Sequence, residues 1–231
     1  MESPCKSKLP FTTFVVMKQV SPILKFLSWF WPIRLERRSS PFNRVLDVDL
    51  SHGHLQLNTR QANYSFGRLH TVMEKSLARI HRDNQTYNEV LMLGYGGGSA
   101  AQILRRYHPT CKITAVELDP EVVTLAQKWF YSEDIHFVVD DAIDFVRQEK
   151  GRYDLIVCDI FRDIYMPDAV RSEAIYLHCK HLLRPKGCFI HNTMGIKEEA
   201  LNQEVLFRRV FPKYETLTLF TNNTIFHGFS E

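Results

Sequence analysis

At 231 residues, with 45% hydrophobic and 24% charged side chains, the chain is long enough to bury a substantial core and has the balance of an ordinary globular protein. That balance excludes a disordered chain and a bundle of membrane-spanning helices. The formal net charge of +3 is small and forms no clustered basic stripe, so nucleic acid is not an expected partner. Five cysteines form no Cys-x-x-Cys pair, and their odd number argues against a complete disulfide framework. Cys111, Cys158 and Cys188 lie in or beside apolar runs, as buried reduced thiols do, and a cytoplasmic location is expected.

Residues 1–43 read as an apolar arm. Pro10, Pro22 and Pro32 punctuate it, and Lys18 and Lys25 interrupt it before a bilayer-spanning length is reached. Lys6 and Lys8 precede a short apolar run, but no small-residue cleavage site follows. The arm with Trp29 and Trp31 is expected to pack on the main domain or on a second subunit, a homodimer being one such arrangement. The basic stretch after Trp31 keeps a membrane surface as another reading. Residues 44–67 form the next unit, a β-hairpin subdomain whose alternation turns at 51–54 (SHGH).

The main domain is expected over 68–231. Apolar positions Leu69, Val72, Met73, Leu77 and Ile80 recur at helical spacing, which predicts an amphipathic helix over 68–82. Strands are predicted over 89–93, 112–117, 135–139, 153–158, 187–192, 215–220 and 224–229. Helices are predicted over 99–107, 120–130, 142–149, 171–183 and 197–210. Such alternation makes an α/β fold with a parallel sheet covered by helices on both faces. The last two strands are joined by Thr221, Asn222 and Asn223 alone, too few for a parallel crossover, so they are expected to pair antiparallel. A parallel sheet ending in one antiparallel hairpin is the Rossmann-like sheet of the S-adenosylmethionine-dependent transferases.

The chemistry concentrates at the ends of the first four strands. Residues 90–98 (VLMLGYGGG) run from a strand into a glycine turn and a helix, which lets backbone approach a ligand and offers N–H donors to it. The candidate cofactor residues there are Gly94, Tyr95, Gly96 and Gly98. Glu117, followed by Leu118, lies 23 positions beyond Gly94, close to the spacing of about 20 at which a carboxylate meets ribose hydroxyls. Asp141 and Ala142 follow the third strand, where an acid can accept from an adenine amino group. Asp119 and Pro120 have the simpler reading of a helix start. Asp159 ends the fourth strand at the mouth of the cleft and is the candidate catalytic residue. Tyr64, Asp163 and Tyr165 are candidate acceptor-binding residues; Tyr64, Phe66 and His70 either line that pocket or, as the simpler reading, pack the hairpin on the domain. Asn192, Thr193 and Met194 fit best as a strand-ending turn. His178, Cys179 and His181 lack a second ligand pair, and no metal is expected.

The motifs in 90–98 (VLMLGYGGG), 115–120 (AVELDP), 139–145 (VDDAIDF) and 153–159 (YDLIVCD) resemble those of spermidine synthase-like proteins, over about residues 44–195. The resemblance implies transfer of an aminopropyl group from decarboxylated S-adenosylmethionine to a diamine. In that likeness Glu117 holds the ribose, Asp141 the adenine, the 94–98 turn the cofactor tail, and Asp159 faces the reacting amine. The chain departs from the pattern at three places. Gly97 stands where the family carries an acid for the aminopropyl ammonium. Residues 159–163 read DIFRD rather than Asp-Ser-Ser/Thr-Asp-Pro, with Arg162 beside Asp159. The family's Tyr-Gln-Glu has no clear match in 63–67 (NYSFG). Methyltransferases of this fold place an acid two residues before the first glycine, where Met92 stands. The expected function is therefore a transferase that uses S-adenosylmethionine or its decarboxylated form to move a methyl or aminopropyl group to a small acceptor, a polyamine or other amine. A non-catalytic adenosyl-binding or scaffold relative and an NAD(P)-dependent reductase are the alternatives.

Overall fold

A computed structural model describes residues 20–60, 68–81, 85–130, 133–162, 165–195, 197–220 and 223–231. The chain opens with a short helix α1 (Pro22–Leu27) and builds a three-stranded antiparallel sheet from β1 (Ile33–Arg38), β2 (Leu46–Ser51) and β3 (His54–Asn58), in the order β1-β2-β3. Helix α2 (Arg68–His81) leads into β4 (Glu89–Leu93), α3 (Ser99–Tyr107), β5 (Lys112–Glu117), α4 (Pro120–Trp129), β6 (Ile135–Val139), α5 (Ala142–Gln148) and β7 (Tyr153–Cys158). A 3-10 turn (Asp168–Arg171), α6 (Glu173–Leu182), β8 (Leu183–Met194), α7 (Lys197–Val210), β9 (Tyr214–Leu219) and β10 (Asn223–Phe229) complete it.

The large sheet has the order β6-β5-β4-β7-β8-β10-β9. β4 to β8 are parallel, while β10 runs antiparallel to β8 and β9. The reason is in the connections, since each parallel step has a helix to cross over and the β9–β10 step has none. One face packs Phe145, Tyr176, Phe189, Phe207 and Phe226 under α5, α6 and α7. The other packs Val72, Met73, Leu77, Ile103 and Leu104 of α2 and α3 against Val90, Ile190 and Ile225. From β4 the chain walks outward through β5 to β6, then returns to add β7 and β8 on the other side. That reversal puts a switch point between the ends of β4 and β7, where open α/β sheets form their ligand crevice.

Helix α4 joins the two sheets. Its Ala126 packs in the large core, whereas Val122, Leu125 and Trp129 meet Leu46, Val48 and Leu57 of the small sheet. Asp119 caps α4 by accepting from Glu121 N (2.9 Å), as its position before Pro120 predicts. Its other oxygen accepts from Ser40 Oγ (2.5 Å) and Asn43 Nδ2 (2.7 Å), which ties the turn before β2 to the nucleotide half.

The strand β1 falls inside the stretch read from sequence as an apolar arm, and this moves the boundary at 43/44. Arg37 makes a two-pronged bond to Asp47 of β2 (2.7 and 2.6 Å), and Glu36 accepts from Lys128 (2.6 Å) and Trp129 (2.5 Å) of α4. Burial opposes ionisation of Glu36, but the bonds from Lys128, Trp129 and Arg38 prevail and draw its pKa down to about 2. Residues 33–38 are therefore part of the folded body. Ahead of them, Ser28 holds the β2–β3 turn through Gly53 N and His52 N, while Ile23, Phe26, Trp29, Phe30 and Trp31 are exposed.

Two further expectations change. The helix predicted over 171–183 is a 3-10 turn and a shorter helix, parted at Ser172, whose extended backbone starts α6. The strand predicted over 187–192 extends over Leu183–Met194, with an irregularity in its pairing to β7 and Lys186 at φ +64°. Cys111, Cys158, Cys179 and Cys188 are buried and form no disulfide among the described residues, and no described helix is long and apolar enough to cross a membrane.

Asp119→Ala removes a helix cap together with two links to residues 40–43, so we expect it to cost about 1–2 kcal/mol or more in urea unfolding. An unchanged midpoint would show that the two sheets are held by apolar packing alone.

Candidate functional site

The apolar strand β4 ends at Gly94, whose φ of +85° suits glycine, and a Cβ there would strike the carbonyl oxygen of Asp159. The close approach is closed on both sides by Gly94 N bonding to Val116 O (2.9 Å) and Asp159 N to Leu93 O (2.9 Å). Gly96 and Gly98 also have positive φ, and Gly98 enters α3 without a capping side chain. Tyr95 is buried, its ring edge-on to Phe137 at 4.8 Å.

Glu117 ends β5 and folds its carboxylate back on this turn. One oxygen accepts from Tyr95 N (3.1 Å) and Gly96 N (3.4 Å), the other from Asp119 N (3.1 Å). Burial raises its pKa, against the pull of those three N–H groups. A carboxylate has about four lone-pair sites, so these bonds leave it acceptor capacity as well as a structural task. Leu118 beside it is half-buried. Asp141 caps α5, one oxygen accepting from Ile143 N (2.7 Å) and Asp144 N (3.4 Å), and Ala142 is buried behind it. The simple reading of Asp119 as a helix start is therefore correct, and Asp141 proves to be a helix cap too, with its second oxygen outside the cap.

Asp159 follows β7 at the switch point. Burial raises its pKa to about 6, moderated by a 2.8 Å hydrogen bond from Asn192 Nδ2 to Oδ1. Asn192 is fully buried within β8, and the strand-ending turn expected at 192–194 is instead the last three residues of the strand, all paired with β10. This partner is the site residue that sequence reasoning set aside. The parallel pairing of Cys158 with His191 brings the next residues, Asp159 and Asn192, side by side.

Gly94, Tyr95, Gly96, Gly98, Glu117, Leu118, Asp141, Ala142 and Asp159 thus gather at the C-terminal edge of β4, β5, β6 and β7. Tyr165 is exposed and paired through its backbone with Arg162 (2.8 and 2.9 Å). Tyr64 and Asp163 lie outside the described residues. Among the described residues no group of three or more His, Cys, Asp or Glu side chains is placed to hold a metal ion. Chemically, the site combines backbone donors at a glycine turn with three strand-end carboxylates, an arrangement suited to a ligand bearing hydroxyls and positive charge.

Residues 72–223 match the family of the spermine/spermidine synthase domain. The chain belongs to that family. A probable polyamine aminopropyl transferase of Bifidobacterium longum is 28% identical over 227 residues, covering 91% of this chain and 49% of the relative. An eEF1A lysine and N-terminal methyltransferase homolog of Drosophila melanogaster is 32% identical over 146 residues, covering 57% of this chain and 22% of the relative. The chain thus spans about half of one curated relative and about a fifth of the other. Human methyltransferase-like protein 13, solved in complex with SAH, shares the fold with a TM-score of 0.60 and 22% identity, over 72% of this chain and 83% of that one.

Two outcomes are expected. Gly94→Ala forces a side chain into a left-handed backbone and against the Asp159 carbonyl, so its melting temperature falls by an amount equivalent to at least about 1–2 kcal/mol. For Asp159 the folded pKa of about 6 exceeds the ordinary 3.8, so the folded state binds the extra proton between those values. Its ionisation therefore weakens the fold as pH rises through that window, by up to about 3 kcal/mol. Asp159→Asn, which keeps an acceptor for Asn192, should stabilise the protein at pH 8 and have much less effect at pH 4. Equal shifts at both pH values would contradict the raised pKa.

Proposed function

We propose that this chain is a transferase that moves an alkyl group from an adenosyl sulfonium donor to an amine nitrogen. The observation that carries the reading is the half-buried Asp159, held by Asn192 at the end of β7 and touching the glycine turn through its own backbone. In this reading the 94–98 turn lies along the donor's tail, and Glu117 and Asp141 accept from the ribose and the adenine, with Leu118 and Ala142 flanking the base. The sulfonium supplies an already activated carbon and departs as a neutral thioether.

The residues have then only to align and desolvate the amine and manage one proton. An amine must be neutral to attack, and its ordinary pKa near 10 leaves it protonated at neutral pH. Asp159, with a pKa of about 6, is ionised at neutral pH, close enough to the working range to accept a proton and release it. The nitrogen–carbon bond forms as the carbon–sulfur bond breaks, and the proton lost from nitrogen passes to the carboxylate. Tyr64, Asp163 and Tyr165 are the proposed acceptor-binding residues, Tyr165 standing three residues beyond Arg162 on the segment that follows β7.

Aminopropyl transfer from decarboxylated S-adenosylmethionine to a polyamine is supported by family membership and by the Bifidobacterium relative. Methyl transfer from S-adenosylmethionine is the second reading, favoured by Gly97. With glycine there the turn supplies no side-chain carboxylate for an aminopropyl ammonium, a charge-assisted bond worth about 1.5–3 kcal/mol. The eEF1A methyltransferase homolog, a relative over about half the chain, supports the same alternative.

A thermal-shift panel of S-adenosylmethionine, its decarboxylated form, methylthioadenosine and NAD separates these, because stabilisation follows RT ln(1 + [L]/Kd). The adenosyl sulfur compounds are expected to raise the melting temperature and NAD to leave it unchanged. Preference for the decarboxylated donor selects aminopropyl transfer, while silence toward all three adenosyl compounds would overturn the proposal. With the stabilising donor and an amine acceptor, Asp159→Asn should lower turnover by about 10²–10⁴-fold.

A further inference from the structure

Asn192 is an unusual residue for its position. It sits inside β8, opposite Ile225 of β10 and beside the end of β7, with no exposed surface. Its Nδ2 donates to Asp159 at 2.8 Å, and its Oδ1 is buried with no hydrogen-bond partner among the described residues. An orphaned buried carbonyl oxygen lowers stability, whereas leucine, with the same branching and the same number of heavy atoms, carries no polar atom to satisfy. Turning the amide over would not help, since it would set its oxygen against the carboxylate. The structure therefore keeps an amide where packing alone favours a hydrocarbon, and the bond to Asp159 is what that amide provides.

We infer that Asn192 is a positioning residue for Asp159: it holds Oδ1 so that Oδ2, which makes no hydrogen bond among the described residues, is presented to the acceptor nitrogen. This rests on the reading of Asp159 as the group that faces the amine. The restraint has two consequences. A carboxylate at a strand end is free to rotate about its last bond, and the bond to a rigid strand neighbour removes that freedom before substrate arrives. The same N–H favours the ionised carboxylate against burial, which keeps Asp159 able to take a proton at neutral pH.

The surrounding titratable groups do not replace this effect. Cys158 on β7 and Cys179 and Tyr176 on α6 are held neutral by burial. His191 points to the opposite face of β8 by strand alternation, and burial lowers its pKa to about 3. His227 on β10 is likewise held near 4 by burial and bonded to Ser76 of α2, and Glu117 is engaged with the glycine turn. Arg171 at the end of the 3-10 turn is paired with Glu199 at 3.7 Å, and neither it nor Arg162 contributes to the Asp159 shift.

The test is a carbon-13 NMR titration of the Asp159 carboxyl, assigned by its loss in Asp159→Asn, in the full chain and in Asn192→Leu. The wild-type midpoint is expected near pH 6 and that of the leucine variant about one unit higher, as loss of one charge-assisted bond implies. Asn192→Gln, which retains an amide donor, should stay closer to wild type than leucine. Should leucine prevent folding, the isosteric Asn192→Asp is read instead and is expected to shift the midpoint upward by like-charge repulsion. An Asp159 midpoint unchanged in the folded variant overturns the inference. Where turnover is measurable, the acidic limb of kcat should move with the NMR midpoint while donor affinity is unchanged, and a limb that stays in place also overturns it. The titration needs neither donor nor acceptor, so the absence of transfer activity would remove the reading of Asp159 without deciding its coupling to Asn192.

Discussion

The structure depends on one close approach, the backbone of Gly94 lying against the carbonyl of Asp159. Only a residue without a side chain can stand at φ +85° with that oxygen where a Cβ would be. The contact brings the ends of β4 and β7 together at the place where the strand order reverses, so the glycine turn and the strand-end acid share one crevice. Glu117 then secures the turn from the other side through Tyr95 N and Gly96 N. The same three strands that form the hydrophobic floor therefore set the distances at the site. Loops need supply only what moves.

Electrostatics follow from this geometry. The carboxylates sit at the rim of a sheet whose interior is apolar, and burial raises both Glu117 and Asp159. Their answers to burial differ. Glu117 receives three backbone N–H groups and becomes part of the scaffold, whereas Asp159 receives one side-chain amide and keeps an oxygen in reserve. Two carboxylates at the ends of the strands that flank β4 are thus divided, one holding the turn and the other keeping an oxygen for the reactant of the proposed transfer. The division comes from their neighbours rather than from their own chemistry.

The features that local pattern encodes were readable in the sequence. Strand 89–93 into a glycine turn, the acid 23 positions later, and the C-terminal hairpin forced by a three-residue connection all rest on neighbours in the chain. What escaped rests on pairings between distant segments. The strand β1 hides because Arg34, Arg37 and Arg38 blur its alternation, and the meaning of Arg34 and Arg37 appears only beside Asp47 and Asp49 once β1 lies on β2. Asn192 reads as a turn residue because its partner is 33 positions away and is defined by the parallel register of β7 and β8. Ser172 splits a helix that periodicity makes continuous, since a single extended residue leaves the apolar spacing almost untouched.

In the proposed function the crevice between β4 and β7 is built for the adenosyl moiety common to both candidate donors. Isothermal titration calorimetry with methylthioadenosine, comparing wild type with a Glu117→Gln variant of confirmed fold, tests it most directly. The account predicts saturable binding to wild type and at least about a tenfold loss in the variant, as expected when a charged acceptor of ribose hydroxyls becomes neutral. No binding to the folded wild-type chain, or equal affinity in the two proteins, would contradict it.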